Sequence, residues 1–115
     1  MNQTNLETQQ CEACHIDAPQ VEDGLKNEYL ATLVGWSVVR VEGVDQLQKS
    51  YSFKNFRTAL AFTNAVGALA ESEGHHPDIL TSWGKVTVTW WTHSINALHK
   101  NDFICAAKTD AINTD

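Results

Sequence analysis

The stretch "FRTALAFTNAVGALAESE" at 56–73 constrains the fold more than any other part of the chain, because it is a long helical pattern set between two pairs of strand-like runs. Asn55 offers an N-cap before it and Gly74 ends it. Its apolar residues, among them Phe56, Leu60, Phe62, Val66, Leu69 and Ala70, cover more than one stripe. A helix that apolar is either sandwiched in the fold or lies at a subunit interface. Upstream, "WSVVRVE" at 36–42 and "QLQKSYSF" at 46–53 flank "EGVD", whose glycine suits a tight connection, so the pair reads as a hairpin. Downstream, "DILTSW" and "KVTVTWWTH" flank Gly84 as a second hairpin. In the latter strand Val86, Val88 and Trp90 share one face, and Thr87, Thr89, Trp91 and His93 share the other.

Two shorter helices complete the order. From Glu22, Leu25, Tyr29, Leu30 and Leu33 make one apolar stripe, with Gly35 at the C′ position. "NDFICAAKTDAI" at 101–112 closes the chain as a short helix. The order α-β-β-α-β-β-α predicts an α+β fold: a four-stranded antiparallel sheet with helices packed on one face. At 115 residues this is one domain, expected over 17–115 behind a polar, aperiodic leader at 1–16 that is expected to be mobile.

Charge and cysteine usage narrow the function classes. A net charge of −6 argues against nucleic acid as a partner, since phosphate binding needs a basic face. No apolar run approaches the length of a membrane span. The start "MNQTNLETQQ" has neither the cationic nor the apolar region of a secretory signal, which makes a cytoplasmic location the expectation. Cys11, Cys14 and Cys105 cannot all pair within the chain, in keeping with a reducing compartment. "CEACH" at 11–15 matches a haem-attachment pattern, but that chemistry needs export, and the sole methionine, Met1, leaves no axial Met ligand. The same stretch could serve as half a zinc site, although no second cysteine pair completes it.

Chemistry concentrates at "ESEGHHPDILTSWGKVTVTWWTH", residues 71–93, with three of the five histidines. Pro77 biases His76 towards extended backbone, and adjacent extended side chains point to opposite sides, so His75 and His76 serve different ends. Glu71, four residues before His75, is placed to contact that ring if the helix reaches so far. Hairpin pairing brings the segment before Pro77 to the end of the strand that carries His93, so three imidazoles can meet at one sheet edge. Three readings are open on this geometry: acid–base chemistry, a three-histidine zinc site, and structural histidines. His15 and His99 have no such support and read as surface residues. Trp83, Trp90 and Trp91 would provide an aromatic wall suited to a flat heterocycle, with Trp90 the best candidate for the core.

Glu71, His75-His76-Pro77, Thr92-His93 and Asp102 together resemble the motif of the pterin-4a-carbinolamine dehydratase family, over about Trp36 to Ala107. "CEACHIDAP" and "HHPDILTSWGKVTVTWW" are most similar to its bacterial branch. The resemblance implies dehydration of 4a-hydroxytetrahydropterin to quinonoid dihydropterin, recycling the pterin of an aromatic amino acid hydroxylase, with no metal or organic cofactor. It implies His76 and His93 as the acid–base pair and His75 mainly as a positioning group. Glu71, Thr92 and Asp102 would orient those rings or the substrate. It also implies a homodimer or homotetramer. Ala97 departs from the family's usual glycine and Asn101 from an arginine found in some members, which affects only the shape of the rim. A non-catalytic dimerisation or regulatory module on the same fold is the alternative.

Overall fold

A computed structural model describes Leu6 and residues 20–112 of the chain. The elements are α1 (Asp23–Thr32), β1 (Ser37–Val41), β2 (Val44–Ser52), α2 (Phe56–Glu73), β3 (Asp78–Ser82), β4 (Lys85–Trp90) and α3 (Lys100–Asp110). The α-β-β-α-β-β-α order is therefore the expected one. All pairings are antiparallel, and the strands lie in the order β1-β2-β4-β3.

The register explains why one sheet face is apolar. Leu47 opposes Trp90, and Lys49 and Tyr51 oppose Val88 and Val86. Leu47, Val86, Val88 and Trp90 are all fully buried. Sequestering each of the three aliphatic side chains contributes roughly 1.5–3 kcal/mol. The helices cover this face. Phe62 of α2 meets Tyr51 and Phe53 at ring-centroid distances of 4.6 and 5.2 Å, and the Thr63 and Thr81 hydroxyls bond at 2.6 Å. The Trp90 indole N–H donates to Thr109 of α3, and Tyr29 of α1 packs on Phe103. Small polar residues mark the opposite face, where Ser50 bonds Thr87 and Gln48 donates to Thr89.

Asp110, at the end of α3, gathers three donors from the first hairpin and its approach. Trp36 Nε1 donates at 3.0 Å, Lys49 Nζ at 2.9 Å, and the Tyr51 hydroxyl makes a short bond to Oδ1. Burial, and then the bond and charge of Asp110, push the Tyr51 phenol far above its ordinary value.

Local signals set the helix ends in the way their chemistry demands. The Asn55 side chain accepts from Thr58 N at 2.9 Å, and Gly74 turns the chain with φ +64°. Gly35 differs from expectation. The first helix stops at Thr32 with Leu33 as its C-cap, so Gly35 lies one residue beyond C′. Its φ of +90° is what favours glycine, while the nearest atoms to a Cβ there, 2.9 Å away, belong to the flexible end of Lys49. The first hairpin is also tighter than expected. Val41 pairs with Val44 across a two-residue turn in which Glu42 and Gly43 both have positive φ, 51° and 82°.

The fourth strand ends at Trp90 rather than running on to His93. Beyond it Thr92 bridges to Ala97, closing a turn over His93–Asn96 in which Asn96 takes φ +49°. The third helix starts at Lys100 and ends at Asp110, inside the expected 101–112 at its far end. Cys11, Cys14 and His15 lie outside the described residues, as does the rest of the leader except Leu6, which is fully buried in the core cluster. Among the described residues no helix is long and apolar enough to cross a membrane.

Candidate active site

The left-handed Gly74 turns the chain that carries the two adjacent histidines. It ends α2, and His75 N then donates back to Ala70 O, which tucks that residue beneath the helix end. His75 is 5% exposed, whereas the side chain of His76 is 60% exposed. The expected divergence of the two rings is thus what the backbone produces.

Each ring meets a carboxylate. His75 Nε2 lies 2.6 Å from Asp102 Oδ1, and His76 Nε2 lies 2.7 Å from Glu71 Oε2. The second pairing corrects the expectation that Glu71 would reach His75. The helix stops at Glu73, and the turn at Gly74 carries His76, five positions on, over the carboxylate. On its face His75 stacks on Trp90, with ring centroids 5.6 Å apart and planes 10° from parallel.

Asp102 is wholly buried, as is Thr92. Thr92 Oγ1 and the backbone N–H of His99 both donate to Oδ2 at 2.8 Å, leaving Oδ1 to His75. A carboxylate offers only lone pairs, so in this pair Nε2 of His75 carries the proton. The bonds to a buried charge-bearing group are of the strong class, and they fix the ring's orientation.

His93 stands in the turn after Thr92, exposed, with its ring 4.2 Å from that of Trp91 and inclined by 32°. The open end of the second hairpin, where Asp78 pairs with Thr89, brings this turn opposite the end of α2. The result is an open cleft of about 400 Å³ lined by Gly74, His75, His76, Thr92, His93 and Ser94. Its size is within the range of small-molecule sites. All three histidines expected to converge do line one space.

Other expectations need correction. Trp83 is 70% exposed in the turn at the far end of the second hairpin, so it is no part of a wall beside the imidazoles. Trp90 is core, under His75, and only Trp91 flanks an exposed imidazole. His99 is not a surface residue but is 2% exposed, and it caps α3. Its Nδ1 accepts from Asn101 N at 3.0 Å, while its own N–H donates to Asp102. The signal was present in the spacing His99-x-x-Asp102, which has the form of a capping box with an unusual first member. Ser94 was also missed, since nothing in the sequence marks it apart from its place after His93. Among the described residues no three His, Cys, Asp or Glu side chains are grouped to hold a metal ion.

Comparison with known proteins bears on what this cleft serves. Residues 18–112 match the model of the family described as pterin 4 alpha carbinolamine dehydratase. A Photobacterium profundum protein, provisionally assigned as a pterin-4-alpha-carbinolamine dehydratase, is 55% identical over 107 residues, covering 93% of this chain and 96% of its own. The chain belongs to the pterin-4a-carbinolamine dehydratase family. Among solved structures of this kind, the transcriptional coactivator/pterin dehydratase of Brucella melitensis is 33% identical with a TM-score of 0.73, over 81% of this chain and 97% of that one. A pterin dehydratase-like protein identified as a RuBisCO assembly factor in the alpha-carboxysome is 27% identical with a TM-score of 0.57, over 67% of this chain and 87% of that one. The matched span takes in both the dehydratase motif and every residue that lines the cleft.

Proposed function

We propose that this family member dehydrates pterin-4a-carbinolamine in the cleft between the end of α2 and the 93–96 turn. The reaction breaks the C4a–O bond, with a proton delivered to the departing hydroxyl to make water. Loss of the N5 proton supplies the electron pair of the new C4a=N5 bond. Imidazole can give and take protons near neutral pH, and a positioned acid or base contributes roughly 10²–10⁴ in rate. The observation that carries the reading is the cleft itself, where two exposed imidazoles, His76 and His93, face the same space as a third that is buried and anchored.

The exposure of His76 and His93 suits the proton-carrying pair, with Glu71 steadying the first and Trp91 flanking the second. His75, held by Asp102 and backed by Trp90, suits a group that receives the pterin in a set orientation. Asp102 is fully buried, does not line the cleft and acts through His75, while Thr92, in the cleft wall, holds the Asp102 carboxylate.

The carbinolamine would come from an aromatic amino acid hydroxylase, and the quinonoid product would pass to a reductase. The proposed compartment is the cytosol, on the strength of three cysteines that cannot all pair within the chain. A homodimer or homotetramer is proposed from the helix α2, which leaves Phe56 and Leu60 46% and 42% exposed. The deciding experiment supplies hydroxylase-generated carbinolamine and follows its ultraviolet absorbance with and without the protein. Accelerated decay supports the reading; decay at the spontaneous rate would leave a non-catalytic module on this fold.

A further inference from the structure

The anchor of His75 depends on a residue that never reaches the cleft. Asp102 is the third residue of α3, and its carboxylate is oriented from the helix's own N-cap. The backbone N–H of His99 donates to Oδ2 at 2.8 Å, and Asp102 N returns a bond to His99 O at 3.0 Å. The cap is completed by the imidazole, whose Nδ1 accepts from Asn101 N at 3.0 Å. His99 is 2% exposed and Asn101 is fully buried, so water cannot readily stand in for that acceptor.

We infer that His99 is a positioning residue for the dehydration: by capping α3 through Nδ1 it sets the Asp102 carboxylate, and through Oδ1 the ring of His75. The chain of contacts is continuous, running Asn101 N–H to His99 Nδ1, His99 N–H to Asp102 Oδ2, and Asp102 Oδ1 to His75 Nε2. Loss of the side-chain acceptor leaves the first turn of α3 free to fray, and Asp102 sits in that turn. The backbone N–H of residue 99 and Thr92 Oγ1 still reach Oδ2 when the imidazole is removed, so the carboxylate is loosened rather than lost, and the defect is displacement of His75 rather than its release. The inference rests on the reading that His75 receives the pterin.

Steady-state kinetics on the full-length chain tests it, with His99→Ala, His99→Ser, Asp102→Asn and His75→Ala compared well below their unfolding temperatures. His99→Ala should raise KM, the parameter that His75→Ala raises, by roughly tenfold while kcat changes little; an ångström of misplacement can cost about 10²-fold. His99→Ser should bring KM most of the way back, because a hydroxyl caps as an imidazole nitrogen does. If His99→Ala does not fold, His99→Gly takes its place, glycine being tolerated at an N-cap without supplying an acceptor. An unchanged KM with only a lower melting temperature would overturn the inference, and so would a serine variant as impaired as the alanine one. If Asp102→Asn and His75→Ala also leave KM untouched, it is the underlying reading of His75 that fails.

Discussion

Nε2 of His75 meets Oδ1 of Asp102 at 2.6 Å, joining residues 27 positions apart. With the carboxylate wholly buried and its other oxygen taken by Thr92 and the His99 backbone, the ring has one orientation open to it. Asp102→Asn puts an amide nitrogen either against the proton on Nε2 or against the two donors at Oδ2. A buried mismatch of this kind costs about 1–3 kcal/mol. Chemical denaturation should show that loss, and KM for the carbinolamine should rise together with it.

The division of labour among the imidazoles gives the sharpest kinetic expectation. His76→Ala or His93→Ala should lower kcat by roughly 10²–10⁴ while weakening a stable pterin analogue only a few-fold. His75→Ala should act mainly on KM, because a positioning contact serves ground and transition states alike. The double change of His76 and His93 should cost less than the product of the singles. A His93→Ala variant with normal turnover, beside a His75→Ala variant that loses it, would falsify the role assignment.

Activity should survive exhaustive chelation. The two adjacent histidines turn away from each other, and each presents Nε2 to its own carboxylate, one buried and one exposed. Turnover before and after dialysis against a strong chelator, with metal content measured alongside, is the check. Stoichiometric zinc whose removal abolishes activity would point to the three-histidine alternative.

Alkaline stability should carry the mark of Tyr51. Its phenol is raised in the folded chain, so it stays protonated where the unfolded chain's tyrosine, near 10, already releases its proton. The unfolded state therefore holds fewer protons once pH passes about 10, and stability falls as pH rises from there. The Tyr51 contribution is fully present below that value. Urea midpoints measured across this range should fall less steeply in Tyr51→Phe, in which Lys49 and Trp36 still bind Asp110. Equal slopes in the two proteins would remove Tyr51 as the cause.

Most of the fold was legible because its determinants are local. Asn55 and Gly74 act within one turn of the helix they bound, and the alternation of Val86, Val88 and Trp90 reports burial directly. The errors arise where tertiary contacts decide. Trp91 and Thr92 are good strand formers, yet the strand stops at Trp90 because Thr92 turns to pair with Ala97 and to bond a buried carboxylate. A positive φ at Glu42 has no sequence mark, so the first turn read as longer than it is. At the site, convergence of three histidines was legible from hairpin pairing, but their partners were not. Glu71 was matched to His75 by helical spacing, which the left-handed Gly74 annuls. His99 read as a surface residue because histidine is a rare cap, and its burial depends on α3 folding back against the sheet.

The stacking of His75 on Trp90, at 5.6 Å and nearly parallel, makes the core tryptophan an optical witness to the cleft. The emission of an indole depends on what packs against its face, so a ring stacked on it this closely sets part of its signal. Trp90 is fully buried, so its emission lies to the blue of that from Trp83, which is 70% exposed. Trp36 is buried as well, and Trp36→Phe removes its share of the blue light. In that chain the short-wavelength edge of the spectrum would follow any shift of the His75 ring against Trp90 as pterin enters, with no label attached to the protein.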